Sequence, residues 1–411
     1  MSALVGRKTE LNSSSSEDTV HRDASDEAVV SPKGARRWQG GHPWIYRSDV
    51  VRRPAAGAGV VRVLDARGKV LGHALWSPKS EISLRLLDEN PSARIDGDWW
   101  RERIGASVAR RASLASEANA YRLIHGEGDR LPSLICDKYD RWIVVQIMSA
   151  GLETFRDEIV DAIEAAAHPL GILARNDVPL RTKEGLSLTS ELLRGEVPET
   201  VEVMEHGVRY LAAPWAGQKT GAFLDQRANR AFIGSLAHGR ALDCFSYHGS
   251  FALHLARNAA QVIALDASAA ALERARENAV LNGLTNIEFL ETDAFTYLKA
   301  RDRARDRFDT IVLDPPAFAK TRASLPAAIR GYKEINLRAM RLLTPGGLLF
   351  TASCSFHLTK PLFLDMLGAA AADSGRRIAI RELVGQPVDH PEILTIPETG
   401  YIKGAVLEAM D

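Results

Sequence analysis

Four aspartates and one cysteine close short apolar runs in the C-terminal half of this 411-residue chain: Asp243, Asp266, Asp293, Asp314 and Cys354. A single aspartate after an apolar run is common, because Asp often caps the next helix. Four of them, each ending a strand-like run, point to a site. Asp243 opens the turn Asp243-Cys244-Phe245-Ser246-Tyr247-His248-Gly249, where Phe245, Ser246 and Gly249 are candidates to shape a cofactor pocket. Asp266 follows 23 residues later, where an acid can accept hydrogen bonds from ribose hydroxyls. A dinucleotide site also needs G-x-G-x-x-G after the first strand, and Gly249 stands there without it. A phosphate-free adenosine cofactor fits better, and S-adenosylmethionine is of that kind. Asp293, one strand over, is placed to accept from an adenine amino group.

Asp314-Pro315-Pro316 is a more specific signal. Two prolines fix the backbone and remove two amide donors, so the turn can hold a planar base. Cys354, between Ser353 and Ser355, ends the fifth apolar run. A thiolate there could attack C6 of a pyrimidine and make C5 able to accept a methyl group. Asp314 at N3 would stabilise the charge that develops on the ring. The blander reading of a cysteine is a small buried hydrophobe, and Cys136 and Cys244 are read that way. The spacing of the 11 histidines suggests no metal site. Two rivals remain: methylation of a purine nitrogen, which needs no thiol, and a non-catalytic RNA-binding assembly factor.

The elements that must position these groups follow from the apolar pattern. Beyond residue 199, strand-like runs at 261–266, 287–290, 308–313 and 347–352 alternate with helical segments, and Ser268 caps one of them. Such alternation predicts an α/β domain, an open parallel sheet with helices on both faces and its ligands at the C-terminal strand ends. Residues 99–198 read as an α+β linker domain and 31–98 as a small β-rich module. Residues 1–30, with Ser13 to Ser16, read as an extension without fixed structure.

The formal net charge is zero, which by itself argues against a polyanion partner. From residue 31 to 111, however, there are 16 Lys+Arg against 8 Asp+Glu, a local footprint for nucleic acid. Lys33, Arg36 and Arg37, close to Trp38 and Trp44, suit phosphate contact and base stacking, although Trp44 reads better as core. Pro315, Pro316, Lys320 and Lys333 are further candidates for substrate contact. No apolar run reaches the roughly 18 residues of a membrane span, and no secretory leader is evident, so the cytoplasm is the expected compartment. A homodimer is kept as a candidate assembly.

Together these residues resemble the bacterial large-subunit ribosomal RNA cytosine-5 methyltransferases of the RlmI type. The resemblance runs from about residue 31 to 409. It rests on 217–227 (GQKTGAFLDQR), the Cys-Phe-Ser-Tyr turn at 244–247, Asp314-Pro315-Pro316, Arg330-Gly331-Tyr332-Lys333, Ser353-Cys354-Ser355 and Asp389-His390-Pro391. It implies a β-barrel PUA domain, a linker domain and a Rossmann-like class I methyltransferase domain. It also implies S-adenosylmethionine as cofactor, ribosomal RNA as substrate, Cys354 as nucleophile and Asp314 as the base-contacting acid. Gln218, Lys219, Thr220, Asp225 and Arg227 would close over the cofactor, with Arg227 meeting either its carboxylate or an RNA phosphate. One departure touches the site: the family turn usually reads Tyr-Thr-Gly-Gly, and here it is Tyr247-His248-Gly249-Ser250.

Overall fold

The computed structural model describes residues 26–319 and 321–411. The expected extension at 1–30 lies outside them up to residue 25, and so does Lys320. Glu27–Val30 is strand β1, so the expected boundary at 31 falls too late. The apolar pair Val29 and Val30 is enough to enter a sheet, and β1 pairs parallel with one strand and antiparallel with another.

The N-terminal module continues with α1 (Pro32–Gln39), β2 (Trp44–Tyr46), β3 (Val50–Arg52), β4 (Gly59–Leu64), β5 (Val70–Trp76) and β6 (Ile82–Asp88). Its six strands run in the order β2-β6-β5-β4-β1-β3. The helix α1 was not expected from the sequence. Ser31 caps it by accepting from the Gly34 amide at 3.1 Å, and Pro32 supplies the fixed φ of a first turn. Trp38 on α1 is buried in the module's core with Ile45, Val63 and Trp76, which withdraws it from base stacking.

The middle of the chain forms α2 (Gly97–Arg110), β7 (Ala120–His125), β8 (Leu134–Tyr139), β9 (Trp142–Ile147), α3 (Ala150–Glu153), α4 (Arg156–Ala167), β10 (Gly171–Arg175), α5 (Leu180–Glu184) and β11 (Ser190–Gly195). Its sheet order is β11-β10-β9-β8-β7. Arg85 of β6 pairs with Glu184 of α5 at 2.8 Å, both buried, and locks the first module onto this one. Trp44, half-buried, donates its indole N–H to Glu127 at 2.9 Å, so it serves the same junction.

The hairpin β12 (Val201–Glu205) and β13 (Val208–Ala212) leads into α6 (Arg227–Leu236), β14 (Arg240–Cys244), α7 (Ser250–Ala256), β15 (Gln261–Asp266), α8 (Ala269–Leu281), β16 (Ile287–Glu291), α9 (Ala294–Ala304) and β17 (Phe308–Leu313). Then follow α10 (Leu325–Leu342), β18 (Leu343–Ser353), α11 (Lys360–Ser374), β19 (Ile378–Val384) and β20 (Lys403–Ala409). The sheet order is β16-β15-β14-β17-β18-β20-β19. The first five strands are parallel, and β20 enters antiparallel between β18 and β19. The sheet is thus mixed rather than wholly parallel. Val262 to Leu265 and Ile311 to Leu313 are almost fully buried, as a sheet covered on both faces requires.

A buried carboxylate joins this domain to the middle one. Asp389, fully buried, accepts from both terminal nitrogens of Arg227 on α6, at 3.1 and 2.9 Å, and from the Arg122 amide of β7 at 2.9 Å. Its backbone carbonyl accepts from Arg111 at 3.0 Å. Removing one partner of such a pair leaves an uncompensated buried charge, costing about 3–5 kcal/mol. Asp389→Ala should therefore lower the urea unfolding midpoint by that order of stability. An unchanged midpoint would show that this pair does not hold the two domains together.

Candidate active site

The turn after β14 is tightly constrained. Phe245, Tyr247 and Gly249 have φ of 63°, 50° and 83°, a left-handed conformation that only glycine adopts without strain. A Cβ on Gly249 would also stand 3.0 Å from the Ala275 Cβ. Hydrogen bonds hold the turn in place. Asp266 accepts from the Tyr247 amide at 2.9 Å and from the Ser268 amide at 2.9 Å, and Ser246 N–H donates to the Leu265 carbonyl at 3.0 Å.

Asp243 is buried beneath this turn. Its Oδ2 accepts from the Ser246 hydroxyl at 2.6 Å and the Ala252 amide at 3.0 Å, whereas Oδ1 is buried with no hydrogen-bond partner among the described residues. Burial, opposed by those two bonds and reinforced by Asp314 and Asp266, pushes its carboxyl up to about 7. Asp293 is exposed, and its Oδ1 caps α9 through the Thr296 amide and hydroxyl at 2.8 and 2.9 Å. Only its Oδ2 remains for a ligand. An orphaned carboxylate oxygen and two further acids suit a cofactor bearing an ammonium and a sulfonium, and they would repel a pyrophosphate.

Asp314 and Cys354 end the adjacent strands β17 and β18, whose register aligns Leu313 with Thr351. Cys354 is half-buried, and Cys136 and Cys244 are completely buried. Burial first, then the Asp314 charge, pushes the Cys354 thiol above its ordinary value. Asp314 accepts from the Gln226 amide group at 2.9 Å. Burial, with the Asp225 charge, pushes Asp314 up to about 6.

The stretch before α6 reaches this lip through Gln226, but three of its expected cofactor ligands are engaged elsewhere. Thr220 donates to Asp137 at 2.6 Å and shares a hydrogen bond with the Tyr139 hydroxyl at 2.8 Å. Asp225 pairs with Lys219 and accepts from the Tyr401 hydroxyl at 2.9 Å. Both terminal nitrogens of Arg227 are taken by Asp389. These three position the stretch. Gln218 and Lys219 stay at the exposed tip of the loop, with the Lys219 ammonium 4.8 Å from the Phe223 ring centre.

Known proteins match this arrangement. Residues 154–397 match the family model of S-adenosylmethionine-dependent methyltransferases, and 28–89 match that of PUA-like domains. "Ribosomal RNA large subunit methyltransferase I" of Tolumonas auensis is 40% identical over 380 residues, covering 90% of this chain and 96% of that protein. The protein of that name in Escherichia coli O157:H7 is 38% identical over 379 residues, again covering 90% and 96%. The chain belongs to the ribosomal RNA large subunit methyltransferase I family. The resemblance seen in the motifs is thereby borne out. A methyltransferase crystallised with S-adenosylhomocysteine shares the fold at a TM-score of 0.81 and 22% identity, over 93% of this chain and 99% of that one. One from Streptococcus mutans does so at 0.79 and 21%, with the same coverage.

Within this methyltransferase, several sequence candidates lie apart from the strand-end site. Lys333 pairs with Asp373 of α11 at 2.6 Å, because one step along α10 turns it away from Tyr332. Lys33, Arg36 and Arg37 belong to α1. Lys33 is 3.6 Å from Asp49, Arg37 lies 4.5 Å from the Tyr46 ring centre, and Arg36 is exposed. Pro315 is buried and Pro316 exposed beside Asp314.

Other residues were missed. The Tyr332 hydroxyl bonds the Ser355 hydroxyl at 2.9 Å, and that oxygen accepts from the Ala319 amide at 3.1 Å. This chain knits the segment after Asp-Pro-Pro to the cysteine lip. Lys403 of β20 donates to the Ser355 and Tyr401 carbonyls at 2.7 and 2.8 Å. Tyr332 and Gln226 were visible in their motifs, whereas no local signal marked Lys403.

An ammonium bonds Asp243 Oδ1 much more strongly when that carboxyl is ionised than when it is neutral. Affinity for S-adenosylhomocysteine should therefore rise roughly tenfold between about pH 6 and pH 8 as Asp243 loses its proton. Asp243→Asn should bind more weakly and with a flat pH dependence. Calorimetry checks both, and a flat profile in the wild type would remove Asp243 from the cofactor.

Proposed function

We propose that this methyltransferase forms 5-methylcytosine in large-subunit ribosomal RNA, acting in the cytoplasm through a covalent bond between Cys354 and C6 of the base. The observation that carries the reading is the accessible thiol at the end of β18 beside the high-pKa acid at the end of β17. The names of its relatives and its PUA-like segment support ribosomal RNA as the substrate class. The basic excess in residues 31–111 is consistent with that.

The chemistry follows from the groups present. Cys354 loses its proton, and the sulfur forms a bond to C6, which turns C5 into a nucleophilic enamine carbon. Asp314, protonated below about pH 6, can donate to N3 as electron density arrives on the ring. Gln226 holds the Asp314 carboxyl in one orientation. When bound, S-adenosylmethionine supplies the electrophilic methyl group. A base then takes the C5 proton, the C5–C6 double bond re-forms and Cys354 leaves as a thiolate. Both C5 and C6 must be reached, so the target cytosine must be unpaired or turned out of a helix.

Nucleoside mass spectrometry of ribosomal RNA after incubation with S-adenosylmethionine tests this. New 5-methylcytosine is expected with the wild type and none with Cys354→Ala. Asp314→Asn should slow the reaction by about 10²–10³. A methylated purine that survives the cysteine substitution would assign the site to nitrogen methylation instead.

A further inference from the structure

We propose that Lys403, on the antiparallel strand β20, is a positioning residue for Cys354: a buried cation held against the peptide after the cysteine, where it stabilises the thiolate during attack. This rests on the reading of Cys354 as nucleophile and adds a residue to it.

The placement comes from strand register and two hydrogen bonds. Lys403 pairs with Ser353 across the β18–β20 ladder. Only 4% of Lys403 is exposed, and its ammonium donates to the carbonyls of Ser355 and Tyr401. Ser355 is simultaneously tied to Tyr332 of α10 and to the Ala319 amide, and its own amide donates to the Ser353 hydroxyl at 3.2 Å. The peptides on both sides of Cys354 are thus fixed.

A tie to two carbonyls does not need a full charge, and burying one is costly. The charge matters because of what else surrounds the thiol. Asp314 from β17 and Asp225 from the stretch before α6 both disfavour a thiolate, and Lys219 and Lys403 favour it. Lys219 is already in an ion pair with Asp225. Among the described residues Lys403 forms no ion pair, and its charged neighbours Lys360 and Glu392 pair with each other at 2.8 Å. Lys403 is therefore the uncompensated cation at the cysteine lip. Burial, only partly offset by Cys354, brings its amine down to about 8, so it remains largely protonated at neutral pH. In the step itself the Cys354 proton goes to solvent, the sulfur gains the negative charge, and Lys403 keeps its protons throughout.

The test is iodoacetamide alkylation of the full-length protein, without RNA or cofactor, followed by mass spectrometry across pH. Cys136 and Cys244 are fully buried, so native alkylation reads Cys354, and labelling of the other two reports unfolding. Lys403→Gln and Lys403→Met should make alkylation about tenfold slower near neutrality, where Lys403 is charged, with the profiles converging well above pH 8, where the lysine is itself neutral. Lys403→Arg, which keeps the charge, should restore the wild-type rate near neutrality. A Gln or Met profile that superimposes on the wild type overturns the proposal. Labelling of Cys136 and Cys244 in both neutral variants also overturns it, by making Lys403 a structural tie. Failure of the cytosine-5 reading would appear separately, as missing 5-methylcytosine with the alkylation shift intact.

Discussion

The fully buried Asp389 carboxylate is the interaction on which the arrangement of domains depends. It belongs to the segment between β19 and β20, yet its partners are Arg227 at the start of α6 and the backbone of β7. Arg111 reaches the same residue's carbonyl and also pairs with Asp129 at 2.7 Å, carrying the network into the middle domain. Because Arg227 immediately follows Gln226, fixing the arginine fixes the glutamine that orients Asp314. The segment that carries Asp389 also ends at Tyr401 and Lys403, which touch Asp225 and the cysteine lip. The structural ion pair therefore lies on the same two stretches of chain as Gln226 and Lys403, which contact Asp314 and the Ser355 carbonyl, and rigidity of one is inherited by the other.

Electrostatics at the reaction lip are a balance of opposed charges in a partly dry place. In the proposed mechanism Asp314 serves because burial raises it to about 6, so that more of it keeps a proton near neutrality than an ordinary carboxyl would. The Asp225 charge that helps to hold it there also raises the thiol. A site with only these acids would suppress the thiolate that the proposed mechanism needs. Cations are needed to offset them, and they come from regions distant in sequence, Lys219 from before β14 and Lys403 from the final strand.

Much of the scaffold was legible because it is written locally. The apolar runs of β15 and β17 coincide with the observed strands, and Ser268 caps α8 through the Ala271 amide at 3.2 Å. The strand-end acids and Cys354 followed from the same pattern. The antiparallel β20 and helix α1 were not legible. The first depends on a return of the chain after β19, and the second hides a helix in a sequence of glycine, proline and arginine. Charged side chains were the hardest to assign. Arg227 and Lys333 have the chemistry of ligands, but tertiary ion pairs engage them. Spacing along the chain cannot tell a carboxylate that meets a cofactor from one that meets an arginine 162 residues away.

The His248 departure in the cofactor turn is a case where packing decides what a substitution means. In sequence it looks like a change of chemistry beside the methionine end of the cofactor. In the fold its ring stacks on Tyr210 of β13, with centres 5.4 Å apart and 19° between planes, and is almost fully buried. Burial and the nearby Arg230 charge bring its imidazole down to about 4, so it stays neutral. Neither ring nitrogen has a hydrogen-bond partner among the described residues, and the residue's carbonyl accepts from Asn278 at 2.9 Å. His248 thus acts as an aromatic wedge between the turn and the β12–β13 hairpin. It packs against the Tyr247 ring, with centres 4.5 Å apart, and adds no charge beside the acids of the turn.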